Sequence, residues 1–189
     1  MMQQTADALR DFTARYCQHW QQHYGHAPAS ADLPGVPSPC AIEERGDCVL
    51  WQPQPFSLPP SLEAVERALD IQLQPSITAF YTSQFAGDMQ ARYAQRKLTL
   101  LQVWSEEDFL RLQENLIGHL VMKRRLKLPP TLFIATTDSE EEIISLSNLS
   151  GEVILEQPGR KNVEFLAQNI EIFLKHLQPF MGGSADNAL

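Results

Sequence analysis

Leu9, Phe12, Tyr16 and Trp20 recur at spacings of three, four and four, which places one apolar stripe on a helix from about Ala6 to Tyr24. Thr5 is positioned to cap its start and Gly25 to end it. The pattern then breaks. Eight of the thirteen prolines fall between His26 and Pro60, so this stretch reads as an irregular wrap interrupted by a short strand at Cys48 to Trp51. Ser61 is the expected cap of a short helix carrying Leu62, Val65 and Leu69. Pro75 opens another, with Ile77, Phe80 and Tyr81 on one face and a stop near Gly87.

Leu98 to Trp104 is the best strand of the first half. Ser105, followed by Glu106, Glu107 and Asp108, combines a cap with acids in a first turn, where the helix dipole favours them. That helix shows Phe109, Leu112, Leu116 and Leu120, gathers Lys123, Arg124, Arg125 and Lys127 at its end, and is blocked by Pro129-Pro130. Leu132 to Thr136 is β-rich, and Ile143–Ser147 with Glu152–Leu155 flanks a four-residue hairpin loop, Asn148 to Gly151. Asn162 is the expected cap of a last helix with the stripe Val163, Leu166, Ile170, Phe173 and Leu177. These elements predict an α+β fold: a mixed, largely antiparallel sheet flanked by helices, with an N-terminal helix and a C-terminal hairpin plus helix. One domain over residues 1–180 and a flexible tail over 181–189 are expected.

Charge narrows the partners. The formal net charge of −8 and pI near 5.1 disfavour nucleic-acid phosphate and anionic lipid as general partners and favour basic ones. Met1 to Phe12 lacks a basic region leading into an apolar core, so no secretory leader is expected, and no window approaches a bilayer-spanning length. Three cysteines, without a CxxC, suit a reducing compartment. No GxSxG, Walker, GxGxxG or HExxH pattern is present, so no catalytic residue and no cofactor is proposed. His19, His23 and His26 come closest to metal spacing, but a polar helix face explains them more simply.

The acids are more informative. Asp138, Glu140, Glu141, Glu142, Glu152 and Glu156 lie between Leu128 and Gly159 with no Lys or Arg among them. Glu66, Asp70 and Asp88 flank the Phe80–Met89 segment, which reads as a helix running into Gly87 and leaving Asp88 free to project. Lys123 to Lys127 read as cations completing a helix end. Glu66, Asp70, Asp88, Glu106, Glu107, Asp108 and Asp138 are therefore the candidate partner-binding residues, with Glu66 and Asp70 on one wall of a groove and Glu106–Asp108 on the other.

The segments GVPSPC (35–40), WQPQPF (51–56), FYTSQFAGDM (80–89), QENLIGHL (113–120) and NLSGEV (148–153), with Leu98–Glu107 and Leu126–Thr136, resemble the Syd family of SecY-interacting proteins. The resemblance runs from the first helix to the last. It implies a monomeric cytosolic protein, without a cofactor or reaction, held loosely at the cytoplasmic face of the inner membrane through SecY, the secretion channel. An acidic concave surface would receive the channel's basic cytosolic loops and restrain or check uncomplexed SecY. Syd also resembles the Smi1/Knr4-like immunity superfamily, so the alternative is an immunity protein that neutralises a basic toxin.

Overall fold

A computed structural model describes residues 2–180. The expected tail at 181–189 lies outside the described residues. Along the chain come α1 (Met2–Tyr24), β1 (Ala29–Ser30), β2 (Ala41–Arg45), β3 (Cys48–Trp51) and β4 (Gln54–Pro55). Then follow α2 (Glu63–Leu69), α3 (Pro75–Thr82), β5 (Gln84–Phe85), β6 (Met89–Tyr93), β7 (Arg96–Leu100) and α4 (Glu106–Arg125). The last third holds β8 (Thr131–Thr137), β9 (Ile143–Ser147), β10 (Val153–Glu156), β11 (Val163–Ala167), α5 (Ile170–His176) and β12 (Gln178–Pro179). The fold is α+β.

Seven strands form an antiparallel sheet in the order β11-β10-β9-β8-β7-β6-β12. The sheet curls until its far strands meet. Tyr93, at the end of β6, donates its hydroxyl to the Leu166 carbonyl of β11 at 2.5 Å, and Arg96 pairs with Glu164 at 2.9 Å. On α1, Leu9, Phe12, Tyr16 and Trp20 are all buried, and the helix packs on α3 and α5. Arg15 reaches from the middle of α1 to donate to the Leu177 carbonyl (2.8 Å) just past α5, so a charged residue ties α1 to the end of α5. Gly25 has φ +74° and its N–H bonds the Gln21 carbonyl at 2.9 Å, which closes α1 as its position implied.

The proline-rich wrap contains a three-stranded sheet, β1-β3-β2, whose centre β3 is wholly buried. Trp51 at its end stacks on Tyr16, with ring centroids 6.2 Å apart. The wrap is thereby fastened to α1.

Several boundaries differ from expectation. The first helix begins at Met2, so Thr5 is a buried residue inside it and not a cap. Leu62, not Ser61, precedes α2, and its side chain makes no capping hydrogen bond. Phe80–Met89 is not one helix: α3 ends at Thr82, β5 pairs with β4, and Met89 opens β6. Leu98–Trp104 is strand only to Leu100. Asn162 caps nothing, because Val163–Ala167 is an edge strand on β10; the helix starts eight residues later, where Asn169 accepts the Ile172 N–H at 2.8 Å. The helical spacing of Val163 and Leu166 was overridden by the backbone pairing that β10 offers, since an unpaired β10 edge would leave polar groups unsatisfied.

Candidate functional site

The candidate site is a groove where the proline-rich wrap, the start of β6 and the start of α4 meet. Its centre is Asp88. Gly87, just before it, presses against Trp51: a Cβ there would sit 2.7 Å from the indole ring, so only glycine lets the chain pass this close. Asp88 then accepts the Gln102 backbone N–H on Oδ1 at 2.8 Å. Below lies a buried amide layer in which Gln84 donates to the Thr13 hydroxyl (2.9 Å) and to Gln102 Oε1 (3.0 Å). Asp88 is thus held on a rigid floor, not projecting from a helix stop.

One wall is the start of α4. Ser105 caps it as expected, its hydroxyl accepting the Asp108 N–H at 3.2 Å, while Asp108 Oδ2 accepts the Trp104 N–H at 2.8 Å. Trp104 in turn donates its indole N–H to the Val36 carbonyl (3.1 Å), and Ser38 donates its hydroxyl to the Trp104 carbonyl (2.6 Å). The opposite wall is the wrap at Asp32 and Leu33, supported by the pairing of β1 with β3. Two connected clefts share Leu33 and Asp88. The first, about 240 Å³, is lined by Tyr16, Trp20, Asp32, Asp88, Gln90 and Thr99; the second, about 220 Å³, includes Asp108, Arg111, Asn115 and Phe133.

Water reaches the Asp88 side chain, yet protein surrounds it on most sides, as befits a residue on the floor of a concavity. This partial burial lifts its pKa from 3.8 to about 6; the Gln102 N–H opposes the rise, and the charges of Asp108 and Asp32 add to it. Three carboxylates therefore crowd one groove. Asp88 uses Oδ1 for the Gln102 N–H, and Asp108 uses Oδ2 for the Trp104 N–H.

The other expected site residues are scattered. Glu106 and Glu107 are exposed on the first turn of α4, next to the groove but outside its lining. Glu66 accepts the Leu73 N–H at 2.9 Å and so supports the α2–α3 loop. Asp70 is the left-handed residue ending α2 (φ 52°), and its neighbour Leu69 accepts a hydrogen bond from Arg124 at 2.6 Å. Arg124 lies sixteen positions beyond Asp108 on α4, about 24 Å away. Glu66 and Asp70 are therefore not a wall of the Asp88 groove. Asp138 lines a different cleft, of about 630 Å³, together with Arg96, Lys97 and Glu164, where the charges are mixed. Asp32 and Arg111 escaped the sequence reading. Asp32 sits in an aperiodic loop, and only its nearness to the strand at Cys48–Trp51 could have hinted at it.

A second charged cluster is internal. Lys123, expected on the surface, is 3% exposed and ion-paired with Glu156, which is 1% exposed. Glu156 was expected among uncompensated acids, and the structure corrects that too. Thr131 donates its hydroxyl to Glu156 Oε2 (2.7 Å), so His119 Nε2, 2.8 Å from the same hydroxyl, must carry the N–H that it donates. Burial pushes the Glu156 carboxyl up, but Lys123 and Thr131 hold it net below its ordinary value. Burial also lowers His119, keeping it neutral. His19 and His23 touch ring to ring at 4.3 Å, and no group of three or more metal-binding side chains occurs among the described residues.

Fold and groove together define a class: an α+β domain whose concave face carries uncompensated carboxylates. A family model described as "Syd protein (SUKH-2)" matches residues 6–179. "Protein Syd" of Erwinia tasmaniensis is 64% identical over 181 residues, covering 96% of this chain and 97% of that protein. Those of Salmonella paratyphi B and Salmonella newport are each 58% identical over 177 residues, covering 94% of this chain and 98% of theirs. The chain belongs to the Syd family.

Proposed function

We propose that the protein is a regulator that binds SecY, docking its acidic groove on basic cytosolic loops of the channel and so restraining or checking SecY that lacks its proper partners. The observation that carries this reading is the convergence of Asp32, Asp88 and Asp108 on one groove with a single cation, Arg111, in its lining. Asp88, raised first by burial and then by the charges of Asp108 and Asp32, is relieved by an incoming Lys or Arg, so the groove selects a basic segment. The two clefts share Leu33 and Asp88, so an extended segment laid across both would place one basic side chain between Asp32 and Asp88 and another at Asp108. The protein acts as a monomer without catalysis or cofactor, and it reaches the cytoplasmic face of the inner membrane through SecY. No helix among the described residues is long and apolar enough to cross a membrane itself.

The test is co-purification with SecY from detergent-solubilised membranes, followed by titration with the isolated loops. Asp32→Asn with Asp88→Asn should weaken loop binding about tenfold or more, equivalent to about 1.4 kcal/mol. Wild-type affinity should fall steeply between about 0.1 and 1 M salt, as the screening length shrinks from about 10 to 3 Å. Unchanged affinity in the double variant would overturn the groove assignment. Capture of a soluble basic toxin in place of SecY would favour the immunity reading.

A further inference from the structure

The end of α4 remote from the groove carries an opposite charge. Arg124, Arg125 and Lys127 are exposed there, and the β10–β11 turn adds exposed Arg160 and Lys161. Chain position alone separates these two groups by more than thirty residues. The fold joins them: a Cβ on Gly159 would lie 3.8 Å from Leu126 Cδ1, so the turn rests directly on the helix end. Five of the chain's fifteen cations thus share one pole. None of the five has a carboxylate partner among the described residues, although most cations elsewhere do. Of the acids that flank these segments, Glu156 is neutralised by Lys123 and Glu164 by Arg96, which leaves Asp70 beside Arg124.

Apolar side chains stand among these charges. Leu126 is 50% exposed between Arg125 and Lys127, and Val163, two residues after Lys161, is 53% exposed. Beside them a cleft of about 310 Å³ opens between the end of α2 and the end of α4. Leu69, Ile71, Leu128 and Pro130 form its apolar lining, and Arg124 and Lys127 also line it. Cations around protruding aliphatic groups match the anionic headgroup layer and the first carbons of a phospholipid leaflet.

We propose that this pole is a membrane-docking surface that contacts an anionic phospholipid leaflet directly. The groove carboxylates do not oppose this, because they lie about one α4 length away, roughly 30 Å, several screening lengths at physiological salt. The proposal goes beyond SecY binding, which by itself makes membrane contact indirect. It would give the protein two simultaneous attachments, so that weak lipid contact raises the local concentration of the groove near its partner.

The experiment is flotation of the full chain with vesicles of phosphatidylcholine plus phosphatidylglycerol, against pure phosphatidylcholine, without SecY present. Binding should require the anionic lipid and should fall roughly tenfold or more in Arg125→Glu/Arg160→Glu/Lys161→Glu. Those side chains make no hydrogen bond or ion pair among the described residues, so cooperative unfolding should be preserved. Leu126→Ser should weaken binding severalfold, whereas Arg10→Gln/Lys175→Gln, which removes the same kind of charge elsewhere, should leave it unchanged. Wild-type failure to bind anionic vesicles, equal binding to neutral ones, or indifference to the triple charge reversal would each overturn the proposal. So would capture of a single-stranded RNA oligomer in preference to vesicles. The loop titrations of the groove use no lipid, so either surface can fail without the other.

Discussion

Two groups of charges in this protein are treated in opposite ways. Around Glu156 the carboxylate is dry, paired with Lys123 and bonded by Thr131, and its proton affinity is pulled down. Around Asp88 the carboxylate is wet, its nearest charged neighbours are other acids, and its proton affinity is pushed up. The first group has satisfied its charge within the fold and holds α4 against β10. The second uses a carboxylate oxygen of Asp88 and of Asp108 to fix nearby backbone, and both residues line the groove. Acid count along the chain does not distinguish these cases. Whether a cation comes within hydrogen-bonding distance does.

The widest separation of the two should come from Lys123→Gln. Removing the cation leaves Glu156 buried and unpaired, a loss of about 3–5 kcal/mol in thermal or denaturant unfolding. Loop affinity should stay intact wherever the protein remains folded. Lys123→Met with Glu156→Met should recover much of that loss; if the single variant unfolds like the wild type, the pair is not the dry one described. Next is Gly87→Ala, which forces a Cβ into the Trp51 ring and should cost about 1–3 kcal/mol. Because Asp88 follows directly, it should also weaken loop binding, which Lys123→Gln should not.

Asp88→Asn sharpens the contrast through pH. The folded pKa of about 6 exceeds the ordinary 3.8, so the folded state favours the protonated acid. That contribution is fully present below about pH 4 and is lost as pH rises through about 6. Asp88→Asn should therefore raise the melting temperature at neutral pH and have little effect below pH 4. Loop binding runs the other way: in the wild type it should strengthen as pH rises through 6 and Asp88 ionises. Isothermal titrations on either side of pH 6 that give the same affinity would remove Asp88 from the contact. Smallest is Glu66→Gln, expected to lower stability by about 1 kcal/mol through its bond to the Leu73 N–H, with no change in loop affinity.

Much of this molecule was legible along the chain. The α1 stripe, the Ser105 cap, the hairpin at Asn148–Gly151 and the α+β class follow from spacing and local hydrogen bonding, which act over a few residues. Asp88 and Asp108, which line the groove, also stood among the residues marked by family segments and a capping pattern. Local rules failed where two states fit the same letters. Val163–Ala167 has both a helical spacing and a strand composition, and the free edge of β10 decided between them.

Local patterning thus carried the α+β class, several of the elements, the family and the excess of negative charge. Only tertiary structure decided which charges matter. It brought Lys123 to Glu156 across 33 positions and removed both from the surface. It carried Asp32 out of an aperiodic loop to line a cleft with Asp88, separated Glu66 and Asp70 from that groove, and set Gly159 beside Leu126. The physical reason is range. Helix caps and apolar periodicity act between near neighbours in the chain, whereas a charge responds to whatever lies within several ångströms in space and to how much water remains there.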